Sequence, residues 1–267
     1  LSKRYCEVMN EVKVIFFDID GTSFYNPIQD AIESTKETFR QLKQQGIKLV
    51  IDTSRTNEEM VTLPQSFLAN FDAIIAFGGS RIYQHGKIIS EHFMDENDAA
   101  TAVEYFEKNH LTYRWSDQEH SYLNSAGSKY EEIFSRLYRM VPPAKKWNGE
   151  KNLMFLFYIE DLDAYKELAK QLPNSSVTHL SLANEINLKG INKGTAIKEL
   201  CELWNIPIEQ TAAFGDGNND IAMIKAAKYG IAMGNATDLV KENSDYVTSR
   251  IEEDGLRKAC EHFGWVK

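Results

Sequence analysis

Val12-Lys13-Val14-Ile15-Phe16-Phe17-Asp18-Ile19-Asp20-Gly21-Thr22 decides how this 267-residue chain is read. Its first half is a short apolar run rich in β-branched and aromatic residues, which reads as a buried strand. A turn-forming stretch, Asp20–Pro27, follows. Ile28, Ile32, Phe39 and Leu42 then recur at helical spacing, and Gly46 supplies a C-terminal stop. Ile47–Ile51 reads as a second strand, Glu58–Leu68 as a helix and Ala73–Phe77 as a third strand. Strands alternating with helices through short connections specify a parallel sheet covered by helices.

The rhythm then changes. Arg81–Ser90 reads as a hairpin turning at His85-Gly86, and Asp95–His110 as an amphipathic helix. Tyr113–Asn124, Asn152–Ile159 and Val177–Leu188 suggest strands, with a helix at Leu162–Leu172. After Gly190 the opening rhythm returns, beginning with a helix at Lys193–Trp204 and a strand at Thr211–Phe214. The expected fold is therefore α/β, a Rossmann-like parallel-sheet core interrupted by an inserted α+β module. The expected division is 11–83 and 187–267 for the core, and 84–186 for the insertion.

Composition bounds the function. With 30 basic and 39 acidic side chains the chain carries a net charge of −9, which disfavours nucleic acid and anionic membrane as partners. The longest apolar runs, such as Val14–Phe17 and Ala73–Phe77, are far too short to span a bilayer. The polar segment Leu1–Glu11 lacks the apolar core of a secretory signal. Cys6, Cys201 and Cys260 are scattered and odd in number, as suits buried thiols in a reducing compartment. A cytoplasmic protein is the expectation, and the oligomeric state stays open.

Four clusters at expected strand ends carry chemistry, and in open α/β sheets ligands bind at such ends. Asp18 and Asp20, two positions apart, suit a pair in which one carboxylate attacks while the other handles protons. Gly21 lets the backbone turn sharply beside a ligand. Thr53 and Ser54 offer donors for a phosphate oxygen, although a hydroxyl pair opening a helix also serves as a simple cap. Lys193, opening a helix, suits a clamp on an anion. Asp216 and Asp220, in a short stretch with two glycines, suit a hard cation such as Mg²⁺. An EF-hand is rejected: Ile221 and Ser23 stand where such loops require glycine, and Ala227 stands where the bidentate glutamate belongs.

Taken together, these clusters make the chain resemble the haloacid dehalogenase superfamily of phosphotransferases, and within it the Cof-like branch. The segments Gly230-Ile231-Ala232-Met233-Gly234-Asn235-Ala236 and Glu253-Asp254-Gly255 are similar to that branch as well. The resemblance implies a Mg²⁺-dependent phosphatase of small phosphorylated metabolites with a large α+β cap. By the same resemblance Asp18 is the nucleophile that forms an aspartyl-phosphate, and Asp20 is the acid and later the base. Thr53, Ser54, Lys193 and Asn219 hold the phosphoryl oxygens. Asp18, the Asp20 carbonyl and Asp216 bind the metal, with Asp220 close behind.

Two departures from the branch stand out. Asp52-Thr53-Ser54-Arg55 replaces the usual Ala-Thr-Gly-Arg, and Gly78-Gly79-Ser80 replaces Asn-Gly-Ala, which touches contacts toward the cap. The rival readings are a phosphomutase, a receiver-like signalling module and a non-catalytic sensor of phosphorylated metabolites. The basic stretch Arg136, Arg139, Lys145, Lys146 and Lys151 reads first as a solvated face and second as a recogniser of an anionic leaving group.

Overall fold

The structure, a computed structural model, describes residues 12–159, 161–180 and 183–267. Leu1–Glu11 with Cys6, and Ser181 and Leu182 of the expected strand region, lie outside the described residues. The larger sheet begins with β1 (Val14–Phe17), β2 (Lys48–Asp52) and β3 (Ala73–Ala76), followed by the hairpin β4 (Arg81–Gln84) and β5 (Lys87–Glu91). It is completed after the insertion by β11 (Thr211–Gly215), β12 (Tyr229–Ala232) and β13 (Tyr246–Val247). The order is β13-β12-β11-β1-β2-β3-β4-β5, parallel from β13 to β3 and antiparallel through β4 and β5.

β1 lies at the centre and is buried on both faces, which is why its sequence is uniformly apolar. Ile15 and Phe17 pack with Phe39 and Leu42 of α1 (Glu33–Gln44) and with Leu256 and Cys260 of α10 (Gly255–His262). Val14 and Phe16 face the other layer, with Ala196, Ile197 and Leu200 of α7 (Lys193–Trp204) and Met223 of α8 (Ile221–Ala226). Phe17 stacks on Phe214 of the neighbouring strand at 5.3 Å between ring centroids. This pairing fixes β1 against β11 and brings the Asp18 and Asp216 loops side by side.

The inserted module is an antiparallel sheet of β6 (Tyr113–Ser116), β7 (Ser121–Leu123), β8 (Phe155–Phe157), β9 (Ser175–His179) and β10 (Asn184–Leu188), in the order β7-β6-β8-β10-β9. Tyr113, Trp115, Phe155, Phe157 and Ile186 face α4 (Glu96–Lys108) and α6 (Leu162–Lys170), which contribute Phe106 and Leu168 to the module's core. The alternate face, carrying Arg114, Ser116, Glu185 and Asn187, looks toward the large sheet. Arg114 reaches Glu59 of the large domain and Asn187 reaches the Phe77 carbonyl.

Three details differ from the sequence reading. The expected helix Glu58–Leu68 is two short helices, α2 (Asn57–Val61) and α3 (Gln65–Leu68), because Pro64 cannot continue the first. The hairpin strand Lys87–Glu91 lies beyond the expected boundary at residue 84, yet it is hydrogen-bonded into the large sheet. Glu131–Tyr138 forms a helix, α5, that the sequence reading did not assign and that runs into the stretch read as basic. The remaining helix is α9 (Asp238–Glu242). Among the described residues no helix is long and apolar enough to cross a membrane.

Candidate active site

Asp18 extends the end of β1, its backbone N–H donating the last ladder bond to the Phe214 carbonyl at 3.0 Å. The chain then turns tightly. The Thr22, Ser23 and Phe24 amides all donate to the Ile19 carbonyl, and Gly21 adopts φ +89°. A Cβ at Gly21 would stand 2.5 Å from an Asp216 carboxylate oxygen, so glycine is what lets the two loops meet. Thr22 donates to Asp216 Oδ1 at 2.8 Å. Asn235 donates to the Gly21 carbonyl at 2.8 Å and to Asp216 Oδ2 at 3.2 Å.

Lys193 lies at the start of α7, capped by Asn192, and its ammonium is 1% exposed. Nζ donates to Asp18 Oδ1 and to Asp220 Oδ1, each at 2.6 Å. The other oxygen of Asp220 accepts from the Asp216 and Gly217 amides at 2.9 Å, so both of its oxygens are engaged. Burial by itself would lower the Lys193 pKa, but Asp18, Asp220 and Asp52 hold it well above its ordinary value. It is a cation at neutral pH.

One ammonium stands among several carboxylates. Oxygens of Asp18, Asp216 and Asp220 lie within 4.8 Å of one another. Burial and then Asp220 push Asp18 well above the usual carboxylate range, while Lys193 pulls it back. Burial and Asp220 push Asp216 up to about 7. Hard oxygen donors short of positive charge fit a small divalent cation. Asp220 is committed to Lys193 and the two amides, whereas Asp18 meets Lys193 through Oδ1 and Asp216 meets only the neutral donors Thr22 and Asn235.

Asp20 turns away from that cluster. Arg55 grips it through two bonds, Nε to Oδ2 at 2.8 Å and Nη2 to Oδ1 at 2.6 Å, and Asn26 adds a third at 3.1 Å. Such a fork fixes both the position and the plane of the carboxylate. The Arg55 guanidinium in turn lies 4.9 Å from the ring centroid of Tyr138, on α5. The sequence reading named Asp20 but assigned no role to Arg55 or Tyr138. Arg55 was legible as part of the Asp52–Arg55 motif, whereas the basic stretch around Tyr138 carried no such signal.

Thr53 and Ser54 follow β2, next to β1. The Thr53 hydroxyl accepts from the Arg55 amide at 3.1 Å, and Ser54 Oγ accepts from Asn219 at 2.9 Å. The structure thus gathers Asp18, Lys193, Asp216 and Asp220 into direct contact or close approach. It ties Ser54 to Asn219 and sets Asp20 apart on Arg55.

The two departing motifs face the inserted module. A Cβ at Gly78, which has φ +62°, would lie 2.3 Å from Glu185 Oε1, so this glycine makes room for that carboxylate. Ser80 Oγ accepts from Asn187 at 2.9 Å. Asp52, where the branch usually has alanine, is fully buried with neither carboxylate oxygen hydrogen-bonded, and burial raises its pKa well above the ordinary value. Of the basic stretch, Lys145 and Lys146 are exposed and pair with Glu150 and Glu107, in keeping with a solvated face.

Comparison with known proteins agrees with this geometry. Residues 15–259 match the family model of the haloacid dehalogenase-like hydrolases. The chain is 32% identical to the 5-amino-6-(5-phospho-D-ribitylamino)uracil phosphatase YcsE of Bacillus subtilis (strain 168), covering 96% of each chain. It is 27% identical to a phosphoglycolate phosphatase of Methanobrevibacter smithii, over 94% of this chain and 98% of the relative. Among solved structures, a HAD subclass IIB sugar phosphatase superposes with a TM-score of 0.88 at 26% identity, covering 95% of this chain and 100% of the other. Sequence, sheet order and site geometry converge on one conclusion: the chain belongs to the haloacid dehalogenase-like hydrolases, in their Cof-like branch.

Proposed function

We propose that the chain is a phosphatase that hydrolyses phosphomonoesters of small soluble metabolites through an aspartyl-phosphate on Asp18. The observation that carries the reading is Asp18 itself, a buried carboxylate at a parallel-strand end that shares the Lys193 ammonium with Asp220. Asp18 attacks phosphorus, the bond to the leaving oxygen breaks, and Asp20 gives that oxygen its proton. Water then attacks the phosphoryl group and yields a proton to Asp20, releasing phosphate and restoring Asp18. One acid serves both half-reactions, so the Arg55 fork that fixes it matters to each.

In this reading Lys193, Thr53, Ser54 and Asn219 hold the phosphoryl oxygens, and Asp220 keeps Lys193 and the Asp216 loop in place. A Mg²⁺ ion held by Asp18, the Asp20 carbonyl and Asp216 would supply charge compensation between the attacking carboxylate and the phosphate. The inserted module closes over the site and excludes water. Relatives named for a phosphorylated ribitylaminouracil and for sugar phosphates support a small hydroxylated metabolite as substrate. The buried, unpaired Cys201 and Cys260 support a reducing, cytoplasmic setting.

The test is hydrolysis of p-nitrophenyl phosphate with Mg²⁺. Wild-type turnover releasing free phosphate, lost by about 10³-fold or more in Asp18→Asn, is the expected result. Undiminished turnover in that variant would refute the assignment. Failure to release phosphate would favour the mutase or sensor reading.

A further inference from the structure

Beside Lys193 lies a cavity of about 300 Å³ between the inserted sheet and the starts of α7 and α8. Ser176, Thr178, Glu185 and Asn187 line it from β9 and β10, and Lys193 and Asn219 line it from the large domain. The four strand residues form two adjacent rungs, Thr178 opposite Glu185 and Ser176 opposite Asn187. They share the face that alternation turns toward the large sheet, a polar surface opposite the module's aromatic core.

Glu185 is the unusual member. It is 3% exposed, and its Oε2 has no hydrogen-bond partner. Burial raises its pKa, against which Ser54, Lys193 and Arg114 act. A buried acceptor with nothing donating to it is costly and calls for a ligand that donates. Among the described lining residues Lys193 is the one cation, and Asp18 and Asp220 already hold it. Arg114, two strands from Glu185 in the same row of the sheet, holds Glu59 through Nη1 and leaves Nε and Nη2 without partners, but it does not line the cavity.

From this cavity, and resting on the phosphatase reading, we propose that the enzyme selects a neutral, polyhydroxylated leaving group, with Glu185 as its specificity-determining acceptor. Hydroxyls donate to Glu185 and to the Asn187 carboxamide oxygen, and exchange hydrogen bonds with Thr178 and Ser176. A leaving group bearing a carboxylate or a second phosphate would meet Glu185 with no free cation among the described residues lining the cavity to offset the repulsion. The cavity thus argues against the substrate chemistry of the relative named a phosphoglycolate phosphatase, despite the 27% identity.

The experiment compares kcat/KM for ribitol phosphate and for phosphoglycolate with Mg²⁺, in the wild type, Glu185→Gln and Thr178→Val. The wild type should prefer ribitol phosphate by about tenfold or more. Glu185→Gln should reduce that preference by about tenfold, the worth of one charged hydrogen bond, and Thr178→Val by less in the same direction. Taking the ratio cancels any general loss transmitted through Ser54, and Thr178→Val carries the test should Glu185→Gln fold poorly. Equal or better use of phosphoglycolate by the wild type would overturn the proposal. So would a preference unchanged in the variants while both rates fall together. If the wild type hydrolyses p-nitrophenyl phosphate yet shows no preference, only this inference falls; if it hydrolyses nothing, the phosphatase reading falls and takes the inference with it.

Discussion

Arg55 shows how much a single side chain can organise. It holds Asp20 by two bonds, donates through Nη1 to the Glu59 carbonyl at 3.1 Å, and packs against Tyr138 of the inserted module. If its work is to aim the acid, Arg55→Ala should depend on the leaving group. The loss in kcat should be about tenfold or more greater for an alkyl phosphate, which needs a proton, than for p-nitrophenyl phosphate, which needs little help. Parallel kinetics on the two substrates check this, and equal losses would reduce Arg55 to a structural prop. Asp18, Asp20, Lys193, Asp216 and Asp220 were legible because each stands in a short motif at a strand end. Tyr138 and Glu185 were not, since nothing local distinguishes them: their positions come from a helix and a strand of the inserted module that fold back onto the large domain.

At the level of elements, the inserted module is joined to the large domain through buried charge. Arg114 on β6 donates to Glu59 Oε1 at 2.5 Å, with both side chains almost fully buried. The other Glu59 oxygen accepts from the Thr56 amide at 2.9 Å, closing the start of α2. Nearby, Glu58 accepts from the Ser121 amide at 2.8 Å, and Arg81 of β4 donates to the Gln118 carbonyl at 2.7 Å. Removing one partner of a buried pair leaves the other charge uncompensated, so Arg114→Ala should destabilise the closed arrangement by about 3–5 kcal/mol. Urea denaturation measures the cost, and a change within about 0.5 kcal/mol would mean that this contact is not closed in solution. The core elements were readable because β1, β2 and β3 are short apolar runs punctuated by turns. The α2–α3 break was missed because Met60, Leu63 and Phe67 keep a helical spacing across Pro64, and all three are buried in the same core. The hairpin was assigned across a boundary at residue 84 because edge pairing leaves no mark in a strand's own sequence.

For the whole molecule, the crowding of carboxylates links stability, pH and metal. Asp216 titrates at about 7 in the folded chain against an ordinary 3.8, so the folded state holds this proton more tightly than the unfolded state does. The stabilisation it lends is complete below about 3.8 and is lost as pH rises toward about 7. Above that range the site carries its full negative charge. Added Mg²⁺ should therefore raise the thermal midpoint more at about pH 8 than at about pH 5, where protons compete for the same oxygens. Thermal denaturation with and without Mg²⁺ at the two pH values tests this, and an equal shift at both would detach the metal from these acids. The two-part architecture was legible from the change of rhythm after β3 and its return after Gly190. How the parts meet was not, because it depends on which face of an alternating strand turns inward.

The catalytic account stands or falls on covalent chemistry at one atom. Acid-quenching the protein during turnover with Mg²⁺ and mapping its peptides by mass spectrometry should find a phosphoryl adduct on the peptide carrying Asp18, and none in Asp18→Asn. An adduct on any other residue, or hydrolysis at the wild-type rate by Asp18→Asn, would contradict it.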